Sequence, residues 1–436
     1  MSRFRGKAPA GVAIPHERQL NLVDWLDDFA RRAEEPDPAR PALGIFLVVL
    51  SLLGLGLILQ TSHASTTAPI EDFWKIFSDQ VLFRVGALLA LLIGFRVGPE
   101  GLRRTIPALM VLSFLALIAV YVPGIADPRN GANRWVSVGG LFSFQPSELA
   151  RIVCVLWVAD RCMRLGEDVR DIRKGVLPML AVGFAFFFLI LGETDLGGAL
   201  LFLICFLGTM WAGGAHWMHV AGPLVGVGGT AALILITFVT YIRNRVAMFL
   251  GHASNHQVDH SADALASGDL LGVGLGQGQF RNARVPYLET DYVLALVGEE
   301  LGLFGVWLVV GLLVAFAWFA LRFVLSIKDR YCALAAFGLL LSFALQSMVH
   351  VQVVTRLAPP KGMPLPFLSH GGTALLVSSF AIGLALGAAR PTGRRSSEFP
   401  APAAAQHGVS PVPGAVPASD AALSPAHARP TPSSAG

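Results

Sequence analysis

The sequence predicts an all-α polytopic membrane protein with ten transmembrane helices, on three observations. Hydrophobic residues make up 54% of the 436-residue chain and charged residues only 14%, against roughly 25% charge in a soluble domain. Apolar stretches long enough to cross a bilayer recur from Pro41 almost to Ala389, which leaves no room for a soluble globular domain. Two of every three Lys and Arg fall on one side of the membrane when these stretches alternate in sense, as the positive-inside rule requires.

Apolar runs bounded by charge, Pro or Gly give the spans in order. They are Pro41 to Gln60, Val81 to Phe95, Ile106 to Val122, Ser147 to Met163, Val176 to Gly192, Gly198 to Trp211, Val220 to Ile242, Leu303 to Ile327, Cys332 to Thr355 and Thr373 to Ala389. The even count puts both termini on one side, and the basic residues make that side cytoplasmic: N-in, C-in, with a large extracytoplasmic loop between helices 7 and 8. Residues 1–40 form a cytoplasmic arm in which Leu20, Leu22, Val23, Trp25, Leu26 and Phe29 read either as a short amphipathic surface helix or as a loosely ordered segment. Residues 41–389 form the membrane domain. From residue 390 to 436 the chain is rich in Pro, Ala and Ser with few large apolar residues, and reads as a disordered cytoplasmic tail. Cys154, Cys162, Cys205 and Cys332 lie in or beside apolar runs and read as packing residues, with neither a disulfide framework nor a zinc site. The formal charge of +4 is modest and placed as topology would place it, so nucleic acid is not a partner. Gly222 with Gly226, and Gly383 with Gly387, have the spacing that lets helices approach closely.

Ionisable residues are expensive at membrane depth, so their positions point to function. Here they gather in four outside segments: Ile125 to Arg151, the break at Glu193 and Asp195, the loop from Arg243 to Gly302, and Arg356 to Gly372. A transporter more typically carries its polar site near the midplane. In the first segment Asn130-Gly-Ala-Asn-Arg134-Trp135 leads to Gln145-Pro-Ser147-Glu148 and Arg151. Pro146 suits a first helical turn, and Glu148 and Arg151, three apart, would share a face as a site or as a local ion pair. In the long loop Gly274-Leu-Gly276 lacks both the third glycine and the preceding strand of a nucleotide-binding turn, so that reading is rejected. His252, His256 and His260 repeat every four residues, yet read as surface residues rather than metal ligands, because no further ligand stands at firm spacing. Asp291 sits at the mouth of the eighth span. A carboxyl held at a partly dry interface titrates above its usual value of about 3.9, which suits a general base; helix capping is the alternative. Lys361, in a proline-stiffened loop that ends in glycines, offers a point charge for phosphate, from a substrate or from a lipid headgroup.

Taken together, Gly131-Ala-Asn-Arg134-Trp135, Gln145-Pro-Ser-Glu148, Asp195-Leu-Gly197, the stretch from Gln257 to Gly276, Thr290-Asp291 with Gly298-Glu-Glu-Leu-Gly302, and Lys361-Gly to Gly372 resemble the SEDS (shape, elongation, division and sporulation) membrane glycosyltransferases across all ten spans. The spacing from Gly276 to Asp291 matches the division branch of that family rather than the elongation branch. The resemblance implies a peptidoglycan polymerase at the bacterial inner membrane that joins lipid II into glycan strands on the outer face. It places Asp291 at the catalytic base, which takes the proton of an acceptor hydroxyl while undecaprenyl pyrophosphate leaves with inversion. It further implies substrate-binding roles for Arg134, Gln145, Ser147, Glu148, Arg151, Asp195, Gln257, Glu300, Lys361 and Ser369. A divalent cation, Mg or Mn, is implied, with no organic cofactor; the implied partners are a class B penicillin-binding protein, other division proteins and membrane lipids. The chain departs from the family pattern at Asp79, Arg151, Glu193, Thr194, Glu289, His350 and His370. The other readings are a lipid II flippase, a catalytically silent division scaffold and, within the family, an elongation enzyme.

Overall fold

The computed structural model describes residues 37–67, 69–129, 132–138, 142–251, 256–279, 289–369 and 371–390. Residues 1–36 of the expected arm, with its amphipathic stretch, and residues 391–436 of the expected tail lie outside the described residues. Every one of the ten apolar stretches is helical. Helix α1 covers Ala39–Thr67, with Asp37 accepting from the Ala39 N–H at 3.0 Å, and α2 covers Ile70–Leu102, with Glu71 and Asp72 in its first turn. After α3 (Ile106–Ala119) the chain makes strands β1 (Ala126–Arg129), β2 (Ala132–Val138) and β3 (Phe142–Phe144). Helices α4 (Pro146–Leu165), α5 (Leu177–Gly192) and α6 (Leu196–Ala212) follow. Proline in the first turn starts α3, α4 and α5, where its missing N–H costs no hydrogen bond.

The seventh stretch is α7 (Trp217–Pro223), a π turn at Leu224–Gly228 and α8 (Gly229–Phe238). The long loop carries α9 (Thr240–Phe249) and α10 (His256–Ser267). Then come α11 (Val293–Ser326), α12 (Arg330–Val354) and α13 (Gly372–Gly387). This is an all-α polytopic membrane protein with one small addition, an antiparallel sheet in the order β1-β2-β3 that pairs Asp127 with Trp135 and Val136 with Phe144.

Among the described residues, six helices are long and apolar enough to cross a membrane: Ala39–Thr66, Glu71–Leu102, Ile172–Gly192, Trp217–Phe238, Val293–Ser326 and Arg330–Val354. Helices α3, α6 and α13 are apolar but shorter. Helix α4 carries Glu148 and Arg151 near one end and Asp160, Arg161 and Arg164 near the other, and its apolar middle is buried in protein. Helices α4, α6 and α12 form the centre. There Trp157, Phe206, Phe202 and Phe186 stack in sequence, with ring centroids 6.4, 5.9 and 6.2 Å apart. In lipid such contacts hold helices together by dispersion rather than by exclusion of water. All four cysteines are free and buried, as packing residues are.

The two glycine pairs separate. Gly383 and Gly387 let the backbone of α13 lie against the Leu91 and Phe95 carbonyls of α2, whereas Gly222 and Gly226 face open space. Helix α11 starts ten residues ahead of the span expected at Leu303. Its first turns, from Val293 to Glu300, are buried in protein, and beyond Gly302 the exposed Leu303, Phe304, Trp307 and Leu308 face outward. Gly302 stands between the two parts with φ +67, a left-handed conformation that glycine adopts without a Cβ penalty.

Candidate functional site

The mouth of α11 is where distant segments meet. Tyr292 occupies the N-cap of α11 and makes no side-chain cap, so the half-buried carboxyl of Asp291 lies one residue outside the helix. A Cβ on Gly362 would lie 2.6 Å from Asp291 Oδ2, so only glycine leaves the loop room to pass this close to the carboxylate. Burial, reinforced by Glu289, pushes the Asp291 carboxyl up to about 6, against the pull of Arg245 and Arg134. Such a group is ionised at neutral pH and still basic enough to accept a proton.

The loop after α12 is tied down at several points. Arg245 of α9 donates to the Pro360 carbonyl at 2.8 Å, and Gln346 of α12 donates to the Pro364 carbonyl at 3.1 Å. His350 Nδ1 bonds the Met363 carbonyl at 2.8 Å. The Ser369 hydroxyl accepts from the Leu365 N–H at 2.9 Å and donates to the Thr290 carbonyl at 2.6 Å, which joins this loop to the residue before Asp291. From the other side, Gln60 of α1 donates to the Glu289 carbonyl at 2.8 Å, and His63 lies 3.9 Å from the Glu289 carboxylate.

Lys361 of the same loop reaches the turn between α5 and α6, where its Nζ lies 3.5 Å from Asp195 Oδ1. Asp195 caps α6 by accepting from the Gly198 N–H at 2.9 Å. Arg134 of β2 lies 4.0 Å from the same Asp195 oxygen and donates to the Thr194 carbonyl at 2.9 Å. Burial alone would raise the Asp195 carboxyl, but Lys361, Arg134 and the cap hold it below its ordinary value. Burial pushes the Lys361 ammonium down, with Asp195 opposing. The outcome is a cationic pole of two basic side chains about one carboxylate, with Arg134 near enough to act on Asp291 as well.

Gln145 stands at the N-cap of α4 and its amide donates to the buried Ser147 hydroxyl at 3.0 Å. Among the described residues no ion pair joins Glu148 to Arg151; Arg151 donates instead to Gln346 Oε1 at 3.1 Å, and Gln346 passes the link on to Pro364. Ser62 of α1 donates to Glu300 Oε1 at 2.9 Å. Gln257 lies in α10, its side chain outside the described residues, as are Asn130, His252 and His370. A narrow cleft between α4, α12 and α13 opens beside Arg151, Ser342 and Gln346, with Ile152, Val155 and Phe343 among its apolar walls; Asp291 does not line it.

The geometry thus gathers Asp291, Arg134, Asp195, Lys361 and Ser369 in one cluster, with Arg151 joined to it through Gln346. Gln60, His63, Arg245 and Gln346 escape a sequence reading. They bind backbone carbonyls or groups on loops far away in the chain, and no local pattern marks them.

Comparison with known proteins bears on the family and the fold. The sequence pattern of the FtsW/RodA/SpoVE family, described as cell cycle protein, matches residues 42–393. The stage V sporulation protein E of Bacillus subtilis is 31% identical over 80% of this chain and 97% of its own length. A probable peptidoglycan glycosyltransferase FtsW of Trichlorobacter lovleyi is 30% identical over 79% of this chain and 92% of its own. Among solved structures, a chain of a peptidoglycan synthase complex that coordinates polymerization and crosslinking superposes with TM-score 0.63 at 24% identity, covering 79% of this chain and 96% of that one. The rod shape determining protein RodA of Thermus thermophilus superposes with TM-score 0.59 at 23% identity, covering 81% and 97%. At these identities the structural likeness bears on the fold alone.

Proposed function

Because the chain belongs to the FtsW/RodA/SpoVE family, we propose that it is a peptidoglycan glycosyltransferase that polymerises lipid II at the outer face of the bacterial inner membrane, in cell division. One observation carries the reading: a half-buried carboxyl at the mouth of α11 shares a loop-tied cluster with the cationic pole of Arg134 and Lys361. Asp291 takes the proton of the acceptor sugar hydroxyl, which attacks the anomeric carbon of the donor. The pole receives the pyrophosphate that leaves, and inversion follows from attack on the face opposite the leaving group. The apolar cleft beside Arg151 suits the polyprenyl chain, with a charge at its end for phosphate.

Asp195 already faces two cationic side chains, and this donor set does not fit a resident divalent cation. The three-ligand cluster of Glu100, Asp329 and Cys332 lies at the far end of α11 from Asp291. Mg or Mn then enters as the counter-ion of the substrate, and no step is assigned to it. Ten spans with both termini inside, a class B penicillin-binding protein as the cross-linking partner, and the division branch complete the proposal.

The test is gel-resolved polymerisation of labelled lipid II by purified protein, with and without a class B partner. Asp291→Asn is expected to lose about 10²- to 10⁴-fold in rate. Equal polymer from wild type and Asp291→Asn would remove the base, and no polymer under any condition would remove the enzyme.

A further inference from the structure

The turn between α5 and α6 holds two carboxyls, and among the described residues only one of them is hydrogen-bonded. Asp195 has Lys361, Arg134 and the Gly198 N–H. Glu193 is 2% exposed, and neither of its carboxyl oxygens has a hydrogen-bond partner among the described residues. Its backbone is held fast. Thr194, a β-branched residue, sits at φ +59, its hydroxyl donates to the Glu193 carbonyl at 2.7 Å, and its own carbonyl is bound by Arg134. A non-glycine residue in this conformation is kept there by its surroundings. Three titratable or charged groups act on Glu193: Asp195 on its own turn, Arg134 from β2 and Tyr121 from the end of α3.

An ionised carboxylate that is buried, unbonded and next to another carboxylate is strongly disfavoured, while the neutral acid is tolerated. Burial, helped by Asp195, accordingly pushes the Glu193 carboxyl up to about 9. With Glu193 neutral, Arg134 and Lys361 outweigh Asp195 by one charge; with Glu193 ionised, the pole is balanced.

We propose that Glu193 is a further member of the anion pole, a positioning residue whose bound proton keeps the pole net positive and so sets how tightly it holds a phosphate-class anion. The inference deepens the proposed function and rests on its pyrophosphate site.

The experiment measures binding of a short polyprenyl pyrophosphate to the purified full chain between about pH 8 and pH 10, a range in which the charge of the probe is constant. Affinity of the wild type is expected to fall about tenfold across that range as the Glu193 proton is lost. In Glu193→Gln, which holds the shape of the side chain and cannot ionise, most of that fall should vanish. Lys361 can also lose its charge, so Lys361→Arg, whose guanidinium stays charged, isolates the remaining titration and should retain the fall. An equal alkaline fall in wild type and Glu193→Gln, or a flat Lys361→Arg, overturns the role of Glu193 while leaving the pyrophosphate site standing. No binding at about pH 8 overturns both. Polymerisation of lipid II by wild type against Asp291→Asn, measured separately, tells a failure of the enzyme reading from a failure of this one.

Discussion

Glu289 stands two residues before Asp291, and its charge adds to the burial that raises the Asp291 carboxyl, the proposed base. In the proposed reaction Asp291 works unprotonated, so activity should fall below about pH 6, by roughly tenfold per pH unit. Removing the neighbouring negative charge makes Asp291 easier to ionise. Glu289→Gln is therefore expected to shift the acidic limb of kcat/KM down by about half to one pH unit; an unmoved limb, measured as initial rate against pH, would show that Glu289 does not act on the base. Asp291, Asp195, Arg134 and Lys361 were legible in the sequence because charge at membrane depth is costly and seldom idle. The supporting residues were not. Gln346 looks like any polar residue in a span until the Pro364 carbonyl and Arg151 are seen on either side of it.

At the scale of elements, the apolar stretches could be read because each must satisfy its own backbone inside lipid, which only a helix does. The small sheet could not be read that way, since its strands lie in a polar segment and one of them holds Pro128. A signal did exist: Trp135, Val136 and Val138, then Phe142 and Phe144, flank Gly139-Gly140 as a hairpin would. The early start of α11 was hidden for a different reason. Glu299 and Glu300 interrupt the apolar run, and only their burial against other protein segments lets the helix contain them. Gly302 is the joint of that helix, and a Cβ there would meet the Leu270 backbone. Gly302→Ala should lower the stability by about 2 kcal/mol or more from the left-handed backbone alone, visible as an earlier thermal transition in detergent. An unchanged transition would mean that the joint is not strained.

At the scale of the whole molecule, the orientation can be tested with the native cysteines as a silent background, since all four are buried. With both termini inside, a membrane-impermeant thiol reagent should label Asp263→Cys on α10 in intact spheroplasts and Glu167→Cys, between α4 and α5, only after permeabilisation. The reverse pattern would invert the topology. The charges that matter stand at one end of the bundle, which fits chemistry on one face better than passage between two. Across that end runs the Ser369 hydroxyl, bonded both to the loop of Lys361 and to the residue before Asp291. In the proposed reaction, the group that takes the proton and the group that receives the departing phosphate are thereby tied together through one hydroxyl. On that proposal the fold sets the span between attack and departure, and a substrate would be measured against it by the spacing of its sugar and phosphates rather than by the length of its hydrocarbon tail.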